Sequence, residues 1–134
     1  MATERSAGVI VYREPRQYLL LLKKRSVDFP KGKLERGESL AQAAVRETRE
    51  ETGLLVELDP SFRRTIHYKY AREGVQIDKT VTFFLARVEH GQRVTVSKEH
   101  KGYAWLTLPR LMRRLSKKNA KWLVNEAERY LGVN

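Results

Sequence analysis

The stretch "GKLERGESLAQAAVRETREETGL", residues 32–54, constrains this chain more than any other. Ser39 is placed to cap a helix running to about Thr52, and Gly53 is placed to stop it. At about 100° per residue, Leu40, Ala41, Ala44, Val45 and Thr48 form the apolar face of that helix. Glu51 projects between Leu40 and Ala44, while Glu47 and Glu50 sit on the adjoining arc. Acids three and four apart repel by roughly 0.2–0.5 kcal/mol per pair, and Glu50 and Glu51 also face the negative end of the helix dipole. Arg46 and Arg49 offer some relief, as on a solvated, salt-bridged face. Local physics nevertheless disfavours the cluster.

A hard divalent cation would favour it. Mg²⁺ takes oxygen ligands and is usually shared between a few carboxylates and substrate phosphates. The loop before the helix, "FPKGKLERGE", carries glycines that let backbone approach a ligand closely. The overall charge points the same way. Lys and Arg number 27 against 16 Asp and Glu, a formal +11, which suits a polyanionic partner, although a basic surface alone also serves solubility. The absence of cysteine excludes disulfides, thiolate metal sites and Cys nucleophiles.

Around this segment the pattern alternates between strand and helix. "SAGVIVYR" and "YLLLLKK" read as strands joined at "EPRQ". "LLVEL", "FRRTIHYKYAR", "VQIDKTVTFFLARVE" and "YAWL" follow as further strands, the second and third turning at "EG". Thr107 and Asn119 are candidate caps of two terminal helices. The expected fold class is α+β: a mixed sheet sandwiched between helices, an α/β/α sandwich, forming one domain over 1–134. The longest apolar run, "YLLLL", is far too short to span a bilayer, and no signal peptide is evident at the N-terminus, so a cytoplasmic protein without membrane contact is expected, monomeric or homodimeric.

Gly32, Glu38, Arg46-Glu47-Thr48, Glu50-Glu51 and Gly53-Leu54 stand at spacings that resemble the Nudix box, with Thr48 where that family usually has a larger aliphatic residue. The chain is most similar to the asymmetrically cleaving diadenosine tetraphosphate hydrolases of that family, through "SAGVIVY", "FPKGKLERGE", "AVRETREETGL", "DKTVTFFLARV" and "SKEHKGYAWL". The resemblance implies the Nudix fold and a Mg²⁺-dependent hydrolase, Mn²⁺ being a possible substitute. Its substrate would be a nucleoside polyphosphate, diadenosine tetraphosphate giving ATP and AMP.

Glu47, Glu50 and Glu51 would hold the metal, with Glu38 and the Lys31 carbonyl as further ligands and Arg46 holding a glutamate in place. The general base would be Glu47 or Glu99. His100 is a rival for that role, and three histidines without ligand spacing give no metal signal of their own. Lys33 and Lys79 would contact phosphate. Tyr68, Tyr70 and Tyr103 are candidates to stack on adenine, with Tyr103 the best match and Tyr68 and Tyr70 not distinguishable. Rival substrates are oxidised nucleoside triphosphates, RNA 5′ ends and diphosphoinositol polyphosphates. A non-catalytic nucleotide- or RNA-binding module is the rival from another class.

Overall fold

The computed structural model describes residues 2–132 of the chain. Its strands are β1 (Ala2–Arg13), β2 (Gln17–Leu22), β3 (Val27–Asp28), β4 (Lys31–Lys33), β5 (Arg64–Arg72), β6 (Val75–Arg87) and β7 (Gly102–Leu106). Three helices accompany them: α1 (Leu40–Thr52), α2 (Leu108–Arg114) and α3 (Lys118–Gly132). One mixed sheet runs in the order β3-β2-β1-β6-β5, with β4 added to β1 and β7 to β2. Among the described residues only β1 and β6 pair in parallel, Ala2 opposite Ile77 through Tyr12 opposite Arg87; the remaining pairs are antiparallel.

The unbroken apolar run of β1 follows from its central place, because both of its faces are covered. Ala7, Val9 and Val11 pack toward Ala43 and Ala44 of α1. Ile10 and Tyr12 pack on the other side with Leu111 of α2 and Leu123, Val124 and Ala127 of α3. Two cores on opposite faces of one sheet make the expected sandwich.

Local signals in α1 are realised closely. Ser39 and Gln42 form a reciprocal capping box, and Gly53 ends the helix in the left-handed region at φ 76°. The buried face is rotated from the expected one. Ala43, Ala44, Thr48 and Thr52 are buried, whereas Ala41 is exposed and Val45 only half-buried. Glu47 therefore joins Glu51 within the buried arc rather than beside it, and Glu50 lies at its edge.

Two other expectations change. "LLVEL" is not a strand: Leu54 and Val56 are buried and Leu55 is exposed, but the segment pairs with no strand among the described residues. Its alternation comes from a coil lying across the sheet. Asn119 does not cap α3, since the Lys121 N–H already bonds the Lys117 carbonyl and the helix starts at Lys118. Thr107 occupies the cap position of α2, without a side-chain bond to it. Among the described residues no helix is long and apolar enough to cross a membrane.

Candidate active site

Pairing of β4 with β1 brings Gly32 opposite Ala7 and leaves it under the Glu47 side chain. A Cβ on Gly32 would fall 2.0 Å from the Glu47 carboxyl carbon, so the residue must lack one for that carboxylate to sit there. Next to it, the Lys31 N–H donates to Glu51 Oε1 at 3.0 Å. These two contacts press the acids of α1 against β4.

Arg46 organises the outer side. Its Nε and Nη2 donate to the two Glu38 oxygens at 2.6 and 3.0 Å, and Nη1 donates to Glu47 at 3.0 Å and Glu50 at 3.2 Å. A further bond reaches the Lys33 carbonyl at 3.0 Å. Arg46 is held protonated, first by Glu38, and in return it keeps Glu38 below the usual carboxylate range. Both Glu38 oxygens are thus spent on the guanidinium, and Glu35 N–H also donates to one of them.

Burial dominates the inner pair. It pushes the Glu51 carboxyl up to about 7, against the lowering effect of the Lys31 N–H, and raises Glu47 in the same direction. Carboxyls held up in this way are poised to take either a proton or a cation. Glu99 arrives from the loop before β7. Ligand atoms of Glu51, Glu99 and His100 lie within 4.8 Å of one another, a donor set fit for a divalent ion. His100 is buried, and burial together with Lys23 lowers its pKa, leaving the imidazole neutral at pH 7.

A separate basic group forms where β1, β4, β5 and β6 meet. Glu4, opposite Lys79 across the parallel pair, accepts from the Tyr70 hydroxyl at 2.6 Å. It also draws Lys33 and Arg72, each at 3.1 Å, and Lys79 at 3.5 Å. Tyr70 first, with Lys33 and Arg72 assisting, holds the Glu4 carboxyl down to about 2. Three cations against one carboxylate leave a surplus of positive charge. Tyr70 is committed to this network. Tyr68 instead lines an apolar cleft of about 420 Å³ beneath α3, with Phe29, Ile66, Phe83 and Leu123 among its walls and Asp28, Lys31, Lys117 and Lys118 as its charged lining, Lys31 standing 3.3 Å from Asp28. The two rings stand 6.2 Å apart, but their other partners differ. Tyr103 is 43% exposed on β7 and does not line that cleft.

Residues 2–125 match the NUDIX domain family. The chain belongs to the Nudix family. This Nudix hydrolase is 32% identical to the asymmetrical bis(5′-nucleosyl)-tetraphosphatase of Mus musculus over 95% of both chains. It is 30% identical to the protein of that name from Caenorhabditis elegans, over 78% of this chain and 79% of the other. The C. elegans Ap4A hydrolase structure, as a binary complex, superposes with a TM-score of 0.87 at 25% identity, covering 98% of this chain and 99% of that one. The E. coli dihydroneopterin triphosphate pyrophosphohydrolase shares the fold at a TM-score of 0.77 and 21% identity, over 94% and 97%.

Of the residues singled out from sequence, Glu47, Glu51, Lys31, Gly32 and Glu99 converge, with Arg46 tying in Glu38 and Glu50. Lys33, Lys79 and Tyr70 converge elsewhere, on Glu4. Sequence reasoning passed over Glu4, which sits in the polar run "ATER", and gave His100 no place at the metal. Neither carries a local signal.

Proposed function

We propose that this Nudix hydrolase cleaves a phosphoanhydride bond of diadenosine tetraphosphate, releasing ATP and AMP, with Mg²⁺ and with Mn²⁺ as a substitute. One observation carries the reading: Lys31 joins the carboxylates to the cleft. Its backbone N–H holds Glu51, and its side chain lines the apolar space beside Tyr68. A polyphosphate at Lys31 would have a base-sized space on one side and metal-binding acids on the other. Relatives named for asymmetric tetraphosphate cleavage, matched over nearly the whole chain, support the substrate.

Gly32 fits Glu47 into place, and Gly53 turns the chain away directly after Glu51 and Thr52. Glu50, Glu51 and Glu99, with the Lys31 carbonyl, would hold the divalent ion. Once bound, that ion neutralises phosphate oxygens and lowers the pKa of water. Glu47 is the better general base of the two candidates. Burial raises its pKa, and one of its oxygens is fixed on Arg46 while the other is left to accept a proton from the attacking water. Glu38 acts through Arg46. Lys33 and Lys79 supply positive charge to the phosphate chain, and Tyr68 stacks on an adenine, an interaction worth roughly 1–3 kcal/mol per base.

The test is a panel of dinucleoside polyphosphates, nucleoside triphosphates, sugar nucleotides, diphosphoinositol polyphosphates and capped RNA, incubated with Mg²⁺ and resolved by chromatography. Preference for the diadenosine tetraphosphate supports the reading. Preference for a triphosphate, an inositol pyrophosphate or an RNA end removes it.

A further inference from the structure

His100 is buried to 6% exposure, yet its Nε2 has no hydrogen-bond partner among the described residues. A buried ring nitrogen left unpaired is costly and calls for a partner that protein atoms do not supply. The other ring nitrogen is already engaged, with Nδ1 3.2 Å from Ser97 Oγ, which orients the ring. Backbone bonds fix the loop that carries it. Thr95 N–H donates to the Thr52 carbonyl at 2.8 Å and Ser97 N–H to the Glu51 carbonyl at 3.2 Å. His100 N–H then closes a turn on Ser97 at 3.1 Å, and Lys101 N–H bonds the Leu22 carbonyl at 2.7 Å. The loop is thus stitched to the residue that carries one of the acids.

A ring nitrogen of His100 and carboxylate oxygens of Glu51 and Glu99 lie within 4.8 Å of one another. Ligands about 2.1 Å from one octahedral ion stand about 3 Å apart when adjacent and about 4.2 Å apart when opposite, so small side-chain adjustments would close this set. We propose that Glu51, Glu99 and His100 form a mixed nitrogen–oxygen cation site, and that His100 biases it toward first-row transition dications over Mg²⁺. Imidazole binds such ions well, whereas Mg²⁺ takes oxygen ligands. Ser97, accepting from Nδ1–H, would set the tautomer that leaves Nε2 free to ligate. The proposal rests on the reading that Glu51 and Glu99 hold a divalent ion.

Co²⁺ is the probe, added to protein freed of metal by chelation. Proton spectra of the Co²⁺ form should show a far-shifted, solvent-exchangeable imidazole N–H that disappears in His100→Gln. His67 and His90, both exposed, serve as internal controls. By calorimetry the ratio of Co²⁺ to Mg²⁺ affinity should fall at least about tenfold in His100→Gln, most of the change lying in Co²⁺. Co²⁺ binding to the wild type without any shifted imidazole signal overturns the proposal while leaving a carboxylate site standing. No binding of either ion overturns the carboxylate reading as well. The spectrum of the wild type decides the matter even if the variant does not fold.

Discussion

Gly32 and Glu47 approach so closely that a methyl group on the glycine would stand 2.0 Å from the carboxyl carbon of the glutamate. The obstructed atoms are the end of a flexible side chain, so Gly32→Ala can be accommodated by swinging Glu47 aside at about 0.5–1.5 kcal/mol. Gly8 is the contrasting case. A Cβ there would meet the Pro30 carbonyl oxygen at 2.4 Å and Phe83 at 2.8 Å, which are backbone and core and cannot move aside. Gly32→Ala should therefore lose most turnover with a modest fall in Tm. Gly8→Ala should lose about 1–3 kcal/mol or more of stability. Thermal melts beside rate measurements test this, and a Gly32→Ala enzyme of normal rate would dissociate Glu47 from catalysis.

Arg46 donates to Glu38, Glu47 and Glu50 with one planar guanidinium, a geometry that an ammonium cannot copy. Arg46→Lys should keep the charge yet lower kcat about 10–100-fold, the range found when groups that orient ligands are removed. The Mg²⁺ concentration for half-maximal rate should rise with it. An unchanged Mg²⁺ dependence would show that Arg46 does not position the acids.

Glu51 makes stability depend on pH in the direction opposite to a typical acid. Its pKa lies at about 7 in the folded chain against an ordinary 4.5, so between these values the folded state binds the extra proton. Metal-free stability should then fall as pH rises from about 4.5 to 7 and level off above. Solvent reaching the half-buried carboxyl keeps the effect on the order of 1 kcal/mol. Glu51→Gln retains an oxygen for the Lys31 N–H and loses the charge, so in chelator at pH 7.5 it should match or exceed the wild-type Tm. Mg²⁺ at about 100 times its dissociation constant should add about 2.7 kcal/mol to the wild type and reverse the order. A variant clearly less stable in chelator would mean that the negative charge itself supports the fold.

Tyr68 and Lys79 should separate base from phosphate recognition. Tyr68→Ala should raise KM for diadenosine tetraphosphate about tenfold or more while leaving inhibition by inorganic tripolyphosphate unchanged. Lys79→Ala should weaken both and flatten the dependence on salt. Tyr103, exposed and outside the cleft, should behave like wild type when changed to Ala. A larger effect at Tyr103 than at Tyr68 would move the adenine to the β7 face.

These residues also mark where reading from sequence stops. α1 was legible to the residue, because its capping box and terminal glycine are local devices, and three acids of the site, Glu47, Glu50 and Glu51, lie on that one helix. The face it buries was legible only in part. Docking on β1 favours Ala43 and Thr52 over Ala41 and Val45, and a lone helix holds no record of that choice. The first four residues of β1 fall outside the strand read at "SAGVIVYR", since their partner, β6, lies some 75 residues away. β3 and β4 are two and three residues long inside a loop rich in Pro and Gly, too short for any period to show. His100 meets Glu51, and Glu4 meets Lys33 and Lys79, only through topology.

The claim that the acids of α1 exist to hold a metal for asymmetric cleavage of a tetraphosphate is tested most directly by one product analysis. Diadenosine tetraphosphate is incubated with Mg²⁺ and either wild type or folded Glu51→Gln, and the nucleotides are quantified over time. Equimolar ATP and AMP are expected from the wild type, none in chelator, and loss of most turnover in the variant even at saturating Mg²⁺. Two ADP per substrate, or a Glu51→Gln rate near that of the wild type, would contradict the claim.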